Sequence, residues 1–317
     1  MSNLIPLEQV AEDQRAVVAA YREAGGKSFQ DFPIEVSRDN YEKSSAANGL
    51  ERDEVASVED VKIDEFQVRV YDPREQRDAS SPVLVFAHGG GWVTGSLETH
   101  DPVCRRLATL TGLPVVAIDY RLGPEFPFPA GHMDCRRAVE WVRDEAQARS
   151  WNPQRIVTIG DSAGGGLATV LAYLPEMQVE GTKVTAQVLL YPVLDIAEES
   201  VGYERIAEGF PLTADTMRWF AEHLLADPAD ARDERVSPAQ HVKVGDAPQP
   251  PALVLALGLD PLGVEAVEYA RVIALNGTHV ELLHLPNHAH GLFTSAGKIA
   301  MGAKMLERSA QFIAEHA

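Results

Sequence analysis

Gly160-Asp161-Ser162-Ala163-Gly164 fits the pattern G-x-S-x-G. A short apolar run, Ile156-Val157-Thr158-Ile159, precedes it, and Leu167-Ala168-Thr169-Val170-Leu171-Ala172 follows within three residues. Strand, tight turn and helix in that order push a serine hydroxyl out at the end of a sheet. Glycines suit such a turn because a residue without Cβ tolerates unusual backbone angles and close approach. The helix N-terminus aims free N–H groups at the same point. Ser162 is therefore a candidate nucleophile. A five-residue pattern with two free positions also occurs in unrelated loops, so the reading rests on the strand before it and the helix after it.

A serine hydroxyl needs a base within hydrogen-bond reach, and the base needs an orienting acid. After a nucleophile at such a turn, the expected chain order is acid, then histidine. Asp260 comes after Leu257-Gly258-Leu259, at the end of an apolar strand; Asp195, after Tyr191-Pro192-Val193-Leu194, and Glu265, inside the next helix, are its rivals. Among the late histidines, His290 sits past the last strand and precedes Gly291, so a loop carries it. His288 competes with it, whereas His279 and His284 fall on the strand. A zinc reading of His284, His288 and His290 fails on Pro286, which forbids the helix that would align them, and on the lack of partner ligands.

Attack on a carbonyl also creates an oxyanion, which needs pre-aimed N–H groups worth roughly 3–4 kcal/mol each. His88-Gly89-Gly90-Gly91 leaves a buried strand with three residues whose bare backbone can approach a substrate. Gly89, Gly90 and Gly91 are candidate donors, and Ala163, just after the nucleophile, supplies another. A phosphate loop is excluded because no lysine stands at the G-K-[ST] position. His88 reads as a loop brace.

The elements that must position these residues follow from periodicity. Residues Leu7 to Ala24 carry a helical stripe ended by Gly25-Gly26, and 27–50 show a weaker pattern with a short helix near Asn40 to Ser45. Val55 to Ile63 and Phe66 to Tyr71 form a hairpin at a sheet edge. From Pro82 onward strand and helix alternate. Strands are expected at Pro82–Ala87, Pro114–Ile118, Ile156–Ile159, Val184–Tyr191, Pro251–Leu257 and His279–Leu285. Helices are expected at Asp101–Thr111, Ala130–Ala146, after Ser162, at Val264–Leu275 and at Ala296–Glu315. Such alternation predicts an α/β fold with a mostly parallel sheet covered on both faces. Residues 1–50 and 195–237 fall outside it and are expected to pack together as a helical cap over the strand ends, where a doubly wound sheet places its ligand site. Residues 51–194 and 238–317 then make the catalytic domain.

With 317 residues and 45% hydrophobic content the chain can bury a substantial core. Its net charge of −19 argues against a nucleic-acid partner and against docking on anionic membranes. Cys104 and Cys135 form no metal-type pair and are expected as buried free thiols. Met1 to Glu8 lack a basic, apolar leader, and no apolar run approaches a membrane span of about 20 residues, so a cytoplasmic location is expected.

The chain resembles the hormone-sensitive-lipase-like group of α/β-hydrolases. The resemblance runs from about Val83 to Phe293 and is carried by His88-Gly89-Gly90-Gly91-Trp92, Tyr120-Arg121-Leu122-Gly123-Pro124-Glu125, Gly160-Asp161-Ser162-Ala163-Gly164-Gly165, Asp260-Pro261-Leu262 and His290-Gly291. It implies an eight-stranded sheet with a cap, Ser162, Asp260 and His290 as the triad, and carboxylesterase activity on small-molecule esters of short or medium acyl chain. It implies no cofactor, no metal and often a homodimer. Gly123 stands where the group usually has alanine, Gly263-Val264 where it has Arg-Asp, and His288-Ala289-His290 brings a second histidine beside the base. Trp92, Phe210, Trp219 and Phe220 are candidate pocket residues by position. The same site could pass its acyl group to an alcohol or amine, as in an acyltransferase or amidase. A receptor that has lost catalysis is the alternative of another class, and the presence of His290 speaks against it.

Overall fold

The computed structural model describes residues 4–76 and 81–317. Residues 1–3, part of the leader and cap readings, and 77–80, assigned to the catalytic domain, lie outside the described residues. Eight strands form one sheet: β1 (Ser57–Ile63), β2 (Phe66–Asp72), β3 (Ser81–Ala87), β4 (Val115–Asp119), β5 (Trp151–Asp161), β6 (Val184–Leu190), β7 (Ala252–Leu259) and β8 (Val280–Ala289). Their spatial order is β1-β2-β4-β3-β5-β6-β7-β8. The β1–β2 hairpin is antiparallel and β2 runs antiparallel to β4, while every pair from β4 to β8 is parallel.

The central strands are apolar on both faces because both faces are covered. Along β3, Val83, Val85 and Ala87 point to one core with α4 (Ala130–Arg149) and α5 (Ala163–Tyr173). Leu84 and Phe86 point to a second core with α3 (Leu97–Thr111) and α9 (Ala300–His316). A strand's period of two therefore sends alternate side chains into different cores, each buried side chain contributing about 1.5–3 kcal/mol. A smaller cluster joins β7 to α8 (Gly263–Leu275). Cys104 and Cys135 are buried free thiols, as the helical stripes predict.

Some boundaries differ from the sequence reading. The weak pattern near Asn40 to Ser45 belongs to a full helix, α2 (Ile34–Asn48). Its buried positions include the small polar residues Ser37 and Ser45, so hydrophobic periodicity understates it; the Ser37 hydroxyl donates to the Phe29 carbonyl at 2.8 Å. α3 starts at Leu97, not Asp101, because Ser96 and Thr99 form a capping box there. The last strand extends to Ala289, which puts His288 on it.

The N-terminal helices α1 (Glu12–Glu23) and α2 meet the segment after β6, which holds α6 (Val201–Arg205) and α7 (Ala214–Leu224). Arg22 Nε donates to the Gly209 carbonyl at 2.9 Å, the Ser28 hydroxyl donates to the Pro211 carbonyl, and the rings of Phe29 and Phe220 lie 5.2 Å apart. Val10, Val18, Ile206 and Phe210 pack with Leu259 and Ala289, the last residues of β7 and β8. None of the helices among the described residues is long and apolar enough to cross a membrane.

Candidate active site

The candidate residues follow the C-terminal ends of four strands of the sheet. β3 ends at Ala87 before His88-Gly89-Gly90-Gly91, β5 ends at Asp161 before Ser162, β7 ends at Leu259 before Asp260, and β8 ends at Ala289 before His290. Ser162 has φ 54° and ψ −123°, a strained conformation for a residue with a side chain. The surroundings hold it there. Its N–H donates to the Leu190 carbonyl at 2.9 Å, and its own carbonyl accepts the N–H groups of Gly165 and Val193, each at 2.9 Å. A Cβ on Gly164 would sit 2.0 Å from the Ala87 carbonyl oxygen, so the start of α5 can lie against the end of β3 only with glycine there.

Asp260 and His290 form the shortest link of the constellation. His290 Nδ1 lies 2.6 Å from Asp260 Oδ2, and the second carboxylate oxygen accepts the Leu262 N–H at 3.0 Å. A carboxylate only accepts, so the ring donates from Nδ1 and leaves Nε2 as the acceptor. The Asp260 side chain is fully buried and the imidazole 13% exposed, which keeps the pair nearly dry with one side open. Tyr191 connects the histidine to the nucleophile's turn. Its ring centroid lies 4.5 Å from that of His290, and it directly follows Leu190, whose carbonyl holds the Ser162 N–H.

The rival residues go elsewhere. Asp195 accepts the N–H groups of Ala197 and Glu198 at 2.9 and 3.0 Å and a bond from Gln240, closing a turn. Glu265 accepts the Leu194 N–H at 2.7 Å from inside α8, and burial, with Asp195 adding repulsion, raises its carboxyl well above the usual range. His288 turns to Asp13 of α1, Nε2 to Oδ1 at 3.0 Å. His284 is exposed on β8, and His279 faces the ring of His316.

Gly89 departs from expectation. Its N–H donates to buried Asp161 Oδ1 at 2.9 Å and is already engaged there. The N–H groups of Gly90 and Gly91 follow in the same loop at positive φ, 130° and 61°, and the Gly90 carbonyl folds back to accept the Val93 and Thr94 N–H groups. Ala163 is the first residue of α5, where an N–H has no intrahelical partner. His88 is the brace the sequence suggests. Its ring stacks on Tyr120 at 4.3 Å, and the Tyr120 hydroxyl donates to its carbonyl at 2.8 Å. Burial and the neighbouring His100 push its imidazole down to about 4, so it is neutral at physiological pH.

Sequence reasoning treated Asp161 as a free position of the motif, yet it is fully enclosed and highly connected. The Tyr191 hydroxyl donates to it at 3.4 Å, and His100 Nε2 lies 3.0 Å away, off the axis of a hydrogen bond. Burial pushes its carboxyl up, but His100, His290 and the Gly89 N–H outweigh that and hold it below the ordinary value.

The candidate pocket aromatics divide. Phe220 covers the loop: a Cβ on Gly91 would meet its ring at 2.1 Å. Trp219 lies beside it, with ring centroids 5.3 Å apart. Trp92 is 2% exposed and packs near His132, while Phe210 is 1% exposed under the Arg22 guanidinium. A separate crevice of about 640 Å³ is lined by Arg38, Lys62, Gln67, Asp119, Arg121 and Glu125 among others, without Ser162 or His290. Arg38 pairs with Glu125, Gln67 with Asp119 and Arg121 with Asp134, so it is a polar surface groove and not the reaction centre.

Comparisons with known proteins agree with this architecture. Residues 84–294 match a family described as having the alpha/beta hydrolase fold. An ethyl acetate hydrolase from Pseudomonas putida is 34% identical over 279 residues, covering 84% of this chain and 87% of its own. The carboxylesterase NlhH of Mycobacterium tuberculosis is 34% identical over 253 residues, 78% of this chain and 77% of its own. Among solved structures, an ester hydrolase from the metagenome of Lake Arreo superposes with a TM-score of 0.89 at 32% identity, over 96% of this chain and 98% of that one. A hyperthermophilic esterase from Pyrobaculum calidifontis gives 0.81 at 35% identity, over 90% and 94%. The family match spans well over half of the chain, and these relatives share both its length and its sheet: the protein belongs to the α/β-hydrolase fold family, as its resemblance to the hormone-sensitive-lipase-like group implies.

Proposed function

We propose that the protein is a serine carboxylesterase acting on small-molecule esters of short or medium acyl chain. The observation that carries the reading is the 2.6 Å bond between buried Asp260 and His290; the φ of 54° at Ser162, in the turn after β5, supports it. Named relatives that are ester hydrolases support the reaction class.

His290 Nε2 takes the Ser162 proton as the hydroxyl oxygen attacks the ester carbonyl. Asp260 keeps Nδ1 protonated and stabilises the imidazolium that forms. The carbonyl oxygen becomes an oxyanion and meets the N–H groups of Gly90, Gly91 and Ala163. His290 then gives its proton to the leaving alcohol, an ester to Ser162 remains, and water activated by the same histidine releases the acid. Residues 1–50 and 195–237 act as a cap over this centre, with Phe220 and Trp219 as walls near the oxyanion loop. A cytoplasmic location accords with this reading.

The test is hydrolysis of p-nitrophenyl esters from acetyl to palmitoyl by the wild type and by Ser162→Ala. A short-chain preference is expected in the wild type, and kcat should fall by roughly a million-fold in the variant. Equal turnover by both proteins would refute the assignment.

A further inference from the structure

The strand that presents His290 is irregular where it matters. Leu257 pairs with Leu285 and Leu259 pairs with Ala289, so β8 takes four steps while β7 takes two. Pro286, Asn287 and His288 bulge out of the ladder, and among the described residues β8 is an edge strand with no strand on its other side. The sheet alone therefore does not define where the chain re-enters register one residue before His290.

A segment 275 residues earlier holds this bulge. The Gln14 side chain bonds both backbone polar groups of residue Ala289: its Nε2 donates to the Ala289 carbonyl at 3.0 Å, and its Oε1 accepts the Ala289 N–H at 2.7 Å. The Ala11 N–H donates to the Asn287 carbonyl at 2.8 Å, and Asn287 Nδ2 donates to the Gln9 carbonyl at 2.7 Å. Asp13 holds His288 at 3.0 Å with one oxygen and accepts the Met301 N–H at 2.8 Å with the other. Beneath these bonds Ala289 packs with Val10 and Val18, and Gln14 is 2% exposed. A primary amide matched to the N–H and C=O of one residue stands in for a neighbour strand, one residue from His290.

We propose that Gln14, seconded by Asp13, is a positioning residue that sets His290 against Asp260 and Ser162. The N-terminal helix is thereby part of the catalytic geometry and not only a cover. The inference rests on the reading of His290 as the base. Small displacements of a reacting group lower turnover strongly, roughly 100-fold for 1 Å.

The experiment compares Gln14→Ala, Gln14→Glu and Asp13→Asn with His290→Ala and the wild type. It records kcat and KM on a p-nitrophenyl ester, thermal unfolding, and the downfield proton resonance of the imidazole Nδ1–H. Gln14→Ala should lower kcat roughly 10- to 100-fold with KM unchanged, and should shift or broaden that resonance, while the protein remains folded at the assay temperature. Gln14→Glu keeps an acceptor for the Ala289 N–H but opposes the Ala289 carbonyl, so it should show the same split and serves as the test if the alanine variant does not fold. Asp13→Asn should move the same quantities less. Wild-type kcat and an unmoved resonance in a folded Gln14 variant, with His290→Ala inactive, would overturn the proposal and leave the base assignment standing. Activity surviving in His290→Ala would overturn the base assignment and the proposal together.

Discussion

The N–H of Gly89 donates to the carboxylate of Asp161 at 2.9 Å, linking residues 72 positions apart in the chain. The bond ties the start of the oxyanion loop to the residue before the nucleophile. Loop and serine are thus positioned relative to each other, and in the proposed mechanism the oxyanion donors are Gly90, Gly91 and Ala163.

Removing that acceptor should disturb the transition state more than substrate binding. Asp161→Ala is expected to lower kcat by about 100-fold with little change in KM, because the oxyanion donors shift. Asp161→Asn keeps an oxygen for the Gly89 N–H and should lose less. Steady-state kinetics on one short-chain ester separates the two.

The same carboxyl has a stability signature. Its folded value lies below the ordinary one, since His100, His290 and Gly89 outweigh burial. Ionised Asp161 therefore contributes stability above about pH 4, the unfolded value, and that contribution disappears as pH falls through the folded value. Melting curves from pH 7 down to pH 3 should drop more steeply for the wild type than for Asp161→Asn; parallel curves would contradict this.

Glu265 should behave in the opposite sense. Burial raises its carboxyl well above the usual range, so the unfolded chain releases this proton first and stability falls as pH rises above about 4. Glu265→Gln retains an oxygen for the Leu194 N–H. It should melt at higher temperature than the wild type near pH 8 and match it near pH 4.

The two histidines near the end of β8 should part sharply. His290→Asn is expected to lose several powers of ten in kcat, as loss of a triad base does. His288→Asn removes only the contact to Asp13 and should stay within about 10-fold, the scale of a modest misplacement. Comparable losses in both would mean that the base is misassigned.

Phe220 over Gly91 should govern acyl fit. Phe220→Leu is expected to move the p-nitrophenyl ester preference toward longer chains, while Gly91→Ala, which would place a methyl group 2.1 Å from that ring, should lower kcat by about 100-fold through displaced donors. An unchanged chain-length profile in Phe220→Leu would remove that ring from the pocket.

Much of this was legible in the linear chain because local physics wrote it there. Continuous apolar runs appear wherever a strand is covered on both faces, and β3 is one. The candidate nucleophile Ser162 is marked by the glycines around it, and the candidates Asp260 and His290 by their places just after strands. α2 was mostly hidden because small polar residues fill its buried positions.

What sequence alone determined was the order of strands and helices, the nucleophile's turn and a short set of possible partners. Which of those partners meet is decided only by the tertiary structure, which pairs Asp260 with His290. Asp195 and His288 are rivals by their places along the chain, yet one closes a turn and the other faces Asp13. Gly89 resembles its neighbours in sequence, but Asp161 holds its N–H. Gln14 falls on the stripe of the N-terminal helix, but the sequence gives no sign of its partner, which lies 275 residues away. Periodicity reports which side of an element is buried; it carries no information about which distant polar group a buried amide or carboxylate will meet, because that is set only when the layers pack.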